Sequence, residues 1–307
     1  MLEGYFAYLK SVRNLSANTI HSYAKDMELF SLFLKERSYG EDKLEVKGAR
    51  EFVTSLSQRR LSAKTINRII SCVRGYYRYK QRYGYAATNP FQALHSLKAE
   101  KWLPSFMVED EIHGLLDIPA TSFLELRDKL MFEFLYATGC RVGEMVALNV
   151  ADINLKDGLV KVTGKGRKER IVYTGRYSGP LLTEYLSRRR AFLAGLRTVR
   201  EHSSALFLNR SGGRLTARGV RVVLERALAR VGLAKRVTPH TFRHTFATHI
   251  LNRGADIRVV QELLGHASLS TTQVYTHLGV ERLKNIYAHA HPHAKLEGKE
   301  AFTKEGD

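Results

Sequence analysis

A histidine and a tyrosine stand nine residues apart in LLGHASLSTTQVYTH, which covers residues 263–277. In one continuous helix His266 and Tyr275 would lie roughly 13 Å apart on opposite faces, because each residue adds about 1.5 Å. The Ser and Thr residues between them are good N-caps, so they predict a break and a new helix that carries Tyr275. A tyrosine placed in this way could react as a nucleophile, although a tyrosine judged alone is more often packed in a core.

A second segment, RVTPHTFRHTFATHIL at 236–251, combines arginine and histidine at a predicted helix start. Thr238 can cap this helix and Pro239 suits its first turn. His240 and Arg243 then share one face near free backbone N–H groups and the positive end of the helix dipole, which favours an anion. The HExxH pattern of zinc proteases is not completed, and a metal-binding histidine cluster stays open as a minor alternative.

A third segment, ATGCRVGEMVALNVADI at 137–153, places a positive and a negative charge three residues apart. Gly139 can end one helix, and Arg141 then opens the next, with Glu144 as its neighbour on the same face. Taken alone, these two residues are as consistent with a surface ion pair, which would contribute little to stability.

A fourth segment predicts a β-hairpin with a lysine at its tip. The strand-like runs LVKVT (159–163) and RIVYT (170–174) flank the Gly-rich basic turn GKGRKE. The nucleotide-binding pattern GxxxxGK[ST] is not matched. Lys165, between two glycines, is either an ordinary exposed turn residue or a mobile side chain that reaches a bound substrate.

The composition indicates a polyanionic partner. The 307 residues carry a formal net charge of +19, and residues 1–100 already hold 17 Lys and Arg against 9 Asp and Glu. Because both parts of the chain are basic, nucleic acid is favoured over a membrane surface. Only Cys72 and Cys140 occur, and the chain has no signal-peptide run or long apolar stretch. These features predict a cytoplasmic protein without disulfides.

The chain divides by pattern into a helical N-terminal domain (1–95), a linker (96–105), a catalytic domain (106–294) and a flexible tail (295–307). The first domain has helices starting at Ser16 and at Ser62. Four basic residues on the second of these helices predict a face that follows DNA phosphates, with a merely solvated face as the alternative; they are Lys64, Arg68, Arg74 and Arg78.

Taken in order, the four segments resemble the tyrosine recombinase (phage integrase) family, and within it the Xer branch. The resemblance covers nearly the whole chain and rests on ATGCRVGEMVAL, GKGRKER, HTFRHTFATH and LLGHASLSTTQVYTH. It implies that Tyr275 is the nucleophile, that Glu144 holds Arg141 in place, and that a phosphate pocket is formed by Arg141, Lys165, His240, Arg243 and His266. Cys140 departs from the aliphatic residue usual in the family, and we expect a small buried side chain there.

The resemblance further implies DNA strand exchange through a 3′-phosphotyrosine, with neither metal nor cofactor. The implied fold is mainly α: a helical core-binding domain plus a catalytic domain with a small antiparallel sheet, forming a C-shaped clamp on double-stranded DNA. The implied partners are a second, related recombinase in a tetramer and a septal DNA translocase. The implied role is the resolution of chromosome dimers at cell division; a mobile-element integrase, a type IB topoisomerase or a non-catalytic DNA-binding protein are the alternatives.

Residues 279–291, GVERLKNIYAHAH, predict a short amphipathic helix after the nucleophile, with Val280, Leu283, Tyr287 and Ala290 on one face. A helix this short must bury its apolar stripe against something. The resemblance implies an exchange helix that docks on a neighbouring protomer, and packing on its own chain is the open alternative.

Overall fold

The computed structural model describes residues 1–98, 105–164, 166, 168–196, 203–265, 284–285 and 287–292, with only the backbone at residue 176. The chain forms two compact units, Met1–Trp102 and Leu103–Asp307. Each unit has its own hydrophobic core.

The first unit contains four described α-helices, named α1 to α4: Leu2–Ser11, Ala17–Glu36, Val46–Gln58 and Ala63–Arg82. The two predicted N-caps are confirmed, because the hydroxyls of Ser16 and Ser62 accept from the backbone N–H groups of Thr19 and Thr65. The core of this unit is rich in aromatic rings, among them Phe30, which packs edge-on against neighbouring rings.

The second unit is mainly helical and carries one small sheet. Its helices, α5 to α11, are Glu109–Leu116, Phe123–Thr138, Val142–Ala147, Gly175–Ala194, Ala217–Arg230, Pro239–Asn252 and Ile257–Leu264. Its strands, β1 to β3, are Ile153–Asn154, Leu159–Thr163 and Glu169–Tyr173. The predicted mainly α fold with a small antiparallel sheet is therefore confirmed.

The predicted hairpin is also confirmed. Strands β2 and β3 pair antiparallel with Val160 opposite Val172 and Val162 opposite Arg170. The backbone N–H of Gly164 donates to the carbonyl of Lys168 at 2.7 Å and closes the turn. The short strand β1, which the sequence pattern did not predict, pairs with β2 and completes the sheet.

Helix α6 is the frame of the second unit, since its last nine residues are all buried. It ends at Gly139, whose φ of 57° is left-handed and whose missing side chain lets α10 approach. A Cβ at this position would lie only 2.5 Å from Cδ1 of Phe246 on α10. The chain can therefore turn at once from the end of α6 into α7.

The described part of the C-terminal segment packs on the second unit of its own chain. The Tyr287 ring meets Tyr173 edge-on, and Ala290 joins the small cluster formed with Phe246 and Ile250. His291 is fully buried and places Nε2 3.3 Å from the carbonyl oxygen of Tyr136. Within this chain the described part of the segment therefore buries its apolar side chains in cis. No helix among the described residues is long and apolar enough to cross a membrane.

Candidate active site

Arg141 lies where α6 gives way to α7, and its position follows from the local capping. It is the N-cap residue of α7, and its backbone N–H donates to Oε2 of Glu144 at 2.8 Å. This contact is the half of a capping box in which the third helical residue reaches back. The Arg141 side chain donates from Nη1 to Oε1 of Glu144 at 2.9 Å and remains 42% exposed.

Glu144 is not part of a surface ion pair, because only 4% of its side chain is exposed. Arg170 on β3 donates to both of its oxygens, from Nη1 at 3.1 Å and from Nη2 at 2.8 Å. Burial raises the pKa of Glu144, but the contacts with Arg170 and Arg141 outweigh it and lower the pKa to about 2. The carboxylate is therefore charged at neutral pH.

Arg243 connects the ends of two other helices. It projects from the first half of α10 and donates from Nη1 to the carbonyl of Gly139 at 2.9 Å and from Nη2 to that of Leu264 at 2.7 Å. Burial, and then the positive charges of Arg141 and Arg170, lower its pKa to about 10. Arg243 still carries its charge at neutral pH, so three positive charges lie near the single negative charge of Glu144.

His240 is exposed near the start of α10, where the predicted cap is confirmed. Thr238 accepts from the backbone N–H of Thr241, and Pro239 occupies the first helical position. The imidazole therefore stands at the positive end of the helix, as the spacing predicted. Among the described residues no group of three or more His, Cys, Asp or Glu side chains could hold a metal ion.

Three residues of the predicted site, Lys165, His266 and Tyr275, lie outside the described residues. The elements next to two of them are described. The hairpin strands bracket Lys165, and α11 ends at Leu264 with Gly265 in the left-handed conformation, φ 66°. Helix α11 therefore ends before His266. The break predicted between His266 and Tyr275 lies outside the described residues.

Arg170 is the polar residue of this site that sequence reasoning missed. Its only signal in the sequence was its place at the end of the basic GKGRKER turn, where an exposed charge is the ordinary expectation. Cys140, in contrast, behaves as expected, because its side chain is fully buried and burial raises the pKa of the thiol to about 12.

The four basic residues predicted on α4 have different surroundings. Lys64 and Arg78 are exposed and have no polar partner in the part of the chain that the structure describes. Arg68 is exposed but pairs with the buried Asp26. Arg74 donates from Nε to the carbonyl of Phe91 at 2.9 Å and from Nη2 to that of Leu94 at 2.6 Å. Its guanidinium holds the chain that follows α4.

Two family models match this chain. The phage integrase family model matches residues 105–282, and the phage integrase N-terminal SAM-like domain matches residues 2–84. The chain therefore belongs to the phage integrase family, the tyrosine recombinases whose motifs it carries.

Relatives within this family are similar over nearly their whole length. The chain is 41% identical to tyrosine recombinase XerC of Halalkalibacterium halodurans over 95% of this chain and 97% of that one. It is 39% identical to XerC of Bacillus subtilis over 94% of each chain, and 39% identical to XerD of Oceanobacillus iheyensis over 95% and 98%. The XerC of Oceanobacillus iheyensis is 41% identical to this chain, against 39% for the XerD of the same organism. The chain is XerC-like.

Solved structures of recombinases have a similar fold. The XerH site-specific recombinase bound to palindromic difH substrate, a post-cleavage complex, matches with a TM-score of 0.69 and 26% identity over 90% of this chain and 81% of that one. A lambda integrase dimer bound to a COC′ core site matches with a TM-score of 0.65 over 90% and 96%, and at 19% identity it shows the fold alone.

Proposed function

We propose that this chain is a site-specific recombinase that cuts a DNA strand and rejoins it to a new partner strand, with Tyr275 as its nucleophile. The observation that carries the proposal is that Arg141 and Arg170 contact the buried carboxylate of Glu144, and that Arg243 lies close enough to interact electrostatically with all three. In a chain of the phage integrase family, a rigid positive pocket of this kind fits the non-bridging oxygens of a phosphodiester.

The proposed chemistry is a reversible exchange of one phosphate ester for another. The Tyr275 oxygen attacks phosphorus, the bond to the 5′-oxygen breaks, and a 3′-phosphotyrosine forms. Lys165 gives a proton to the leaving 5′-oxygen. The 5′-hydroxyl of the partner strand then attacks the phosphotyrosine and releases the tyrosine. The bond energy is kept throughout, so the cycle balances without ATP, metal or cofactor.

The remaining roles follow from charge and position. An unperturbed tyrosine has a pKa near 10, so only about one in a thousand is ionised at pH 7 and the pocket must assist. Arg141 and Arg243 stabilise the negative charge of the transition state, and His266 donates to the same oxygens. His240 serves as general base or as a further donor. Glu144 orients Arg141.

We propose that both units contact the duplex, with helix α4 following phosphates in the first unit. Lys64 and Arg78 fit this role best because their charges are exposed and unpaired within the described chain. The charge of Arg68 is partly neutralised by its ion pair with Asp26. Arg74 contributes indirectly, because its guanidinium bonds the backbone that follows α4.

The XerC likeness supports a role in resolving chromosome dimers at cell division, within the cytoplasm. In that role the chain works with a XerD-like recombinase in a tetramer on two DNA sites, under the control of a septal DNA translocase. A mobile-element integrase would use the same chemistry on a different DNA. The two roles are separated by measuring strand exchange on two substrates, one with a chromosomal terminus site and one with a transposon end.

The direct test is covalent capture on a nicked suicide substrate in EDTA. The wild-type protein should form a protein–DNA adduct, and Tyr275→Phe should bind the same DNA without forming one. Tyr83→Phe, which changes an exposed tyrosine of the first unit, is the matched control and should react normally. An adduct from Tyr275→Phe at the wild-type level would remove Tyr275 as the nucleophile.

A second measurement separates the other classes. A non-catalytic DNA-binding protein would form no adduct in any variant. A type IB topoisomerase would form the adduct and relax supercoils but would not exchange strands between two sites. Strand exchange between two labelled duplexes is therefore the result that we expect from a recombinase.

A further inference from the structure

The carboxylate of Glu144 has no acceptor capacity left. Its Oε1 accepts from Nη1 of Arg141 and Nη1 of Arg170, and its Oε2 accepts from the backbone N–H of Arg141 and Nη2 of Arg170. A carboxylate offers about four lone-pair sites, so these contacts use all of them. Arg170 supplies two of the four.

Arg141 is consequently held by one of its two terminal nitrogens. Only Nη1 contacts Glu144, at 2.9 Å, and the side chain keeps 42% of its surface exposed. The other nitrogens of this guanidinium have no protein partner in the described part of the chain. An arginine held at one corner can present its remaining N–H groups to a phosphate.

Arg170 is itself fixed from three directions. It stands on β3 opposite Val162, and only 13% of its side chain is exposed. Its aliphatic part lies against Gly265, where a Cβ would come within 2.9 Å of Cδ. Gly265 precedes His266 directly in the chain. Arg170 thus reaches Glu144 from a strand that is paired on β2, and its side chain is largely buried.

We propose that Arg170 is a positioning residue that occupies Glu144 and so keeps Arg141 directed at the scissile phosphate. Without Arg170, two acceptor sites on a buried carboxylate become vacant, and Arg141, which already contacts Oε1, can fill them. Its guanidinium would turn inward to a two-point contact with Glu144 and leave the phosphate. This inference rests on the proposed function, because it assigns Arg141 to that phosphate.

The test compares single-turnover cleavage of two DNA substrates by wild type and Arg170→Met, which keeps the length of the side chain and removes its charge. One substrate has a normal scissile phosphodiester, and the other has a methylphosphonate, which lacks the non-bridging negative charge. We expect a loss on the order of 100-fold on the phosphodiester, the scale for removal of one oxyanion donor. On the methylphosphonate the loss should shrink by about tenfold or more, because Arg141 has less charge to stabilise.

Further variants distinguish positioning from a general effect on folding. Glu144→Gln/Arg170→Met removes the buried charge that would attract Arg141, so it should cleave faster than Arg170→Met alone. If Arg170→Met does not fold, Arg170→Lys carries the comparison of substrates, because it keeps a charge but cannot bond both oxygens of Glu144. Arg188→Met, which breaks an exposed pair with Glu184 on α8, is the matched control and should cleave normally on both substrates.

The inference is overturned if Arg170→Met cleaves the phosphodiester at the wild-type rate, or if its loss is equal on both substrates. An equal loss would mean that Arg170 acts without Arg141. Failure of the proposed function looks different, because the wild-type protein itself would then form no adduct on either DNA.

Discussion

The Nη2 atom of Arg243 lies 2.7 Å from the carbonyl oxygen of Leu264, the last residue of α11. The second terminal nitrogen, Nη1, reaches the carbonyl of Gly139 at the end of α6. One guanidinium therefore fixes the end of α11 relative to the end of α6. The α11 end lies two residues before His266, and Gly139 lies two residues before Arg141.

Arg243→Lys should retain DNA binding but lose most of its cleavage activity. A lysine ammonium is a compact charge on a flexible stem and cannot reach both carbonyls at once. We expect adduct formation to slow on the order of 100-fold, as for the loss of an oriented oxyanion donor. Arg253→Lys, at the far end of the same helix and paired with Glu109, is the control and should react at the wild-type rate. A normal rate for Arg243→Lys would contradict this role.

Glu144 should make folding stability depend on acid in a defined direction. Its pKa in the folded protein, about 2, is below the value of 4.5 expected of an unperturbed glutamate. The stabilisation is therefore fully present above about pH 5 and is lost as the pH falls toward 2, and it amounts to about 3 kcal/mol. Urea unfolding of wild type and Glu144→Gln between pH 7 and pH 3 measures it. The difference in unfolding free energy should narrow with acid, and a constant difference would argue against the assignment.

Lys165→Ala should slow cleavage of normal DNA strongly but leave a modified substrate almost unaffected. Sulfur in place of the bridging 5′-oxygen makes a leaving group that needs little protonation, so a general acid becomes unnecessary. The measurement is the ratio of the two cleavage rates in wild type and variant. Lys168→Ala, in the same turn, is the control. An equal loss on both substrates would rule out proton donation by Lys165.

Arg78→Ala and Arg74→Ala should affect DNA binding in different ways. Arg78 is exposed, so its removal should reduce the slope of log K against log salt by about one if it neutralises one phosphate. Arg74 bonds the carbonyls of Phe91 and Leu94, so its removal should lower the unfolding free energy of the first unit and leave the slope unchanged. The reverse pattern would show that Arg74 is the one that meets DNA.

Truncation after Gly279 should destabilise the catalytic unit itself. The chain beyond that point contributes Tyr287, Ala290 and His291, which cover Phe246 and Ile250. The point variant Tyr287→Ala should lower the unfolding free energy by about 3–5 kcal/mol, the usual cost of deleting a buried aromatic ring. Thermal unfolding of both variants checks this. An unchanged unfolding temperature for the truncated chain would mean that the segment does not stabilise the catalytic unit by covering Phe246 and Ile250.

The sequence predicted the features of this fold that depend on neighbouring residues. The caps at Ser16, Ser62 and Thr238 and the β2–β3 hairpin depend on local hydrogen bonds and alternation, which a single sequence displays. Their positions agree with the structure to within a residue or two.

The contacts that escaped prediction join residues distant in the chain. Arg170 and Glu144 are 26 residues apart in the chain. The alternation that predicts a strand does not show which buried carboxylate an arginine on that strand will bind. Arg74 was grouped with its exposed neighbours because helical spacing cannot show that a guanidinium folds back on a later loop. The surface ion pair considered for Arg141 and Glu144 was wrong for the same reason, since the burial of Glu144 depends on the sheet.

The two carbonyls that hold Arg243 are also the negative ends of two helix dipoles. Each helix C-terminus behaves as about half a negative charge, so α6 and α11 together offset roughly one unit near the guanidinium. This compensation is spread along two peptide backbones and cannot be protonated. A fall in pH therefore leaves the two carbonyl contacts of Arg243 unchanged. Because neither contact uses an acidic side chain, neither adds a full negative charge that would repel an approaching phosphate.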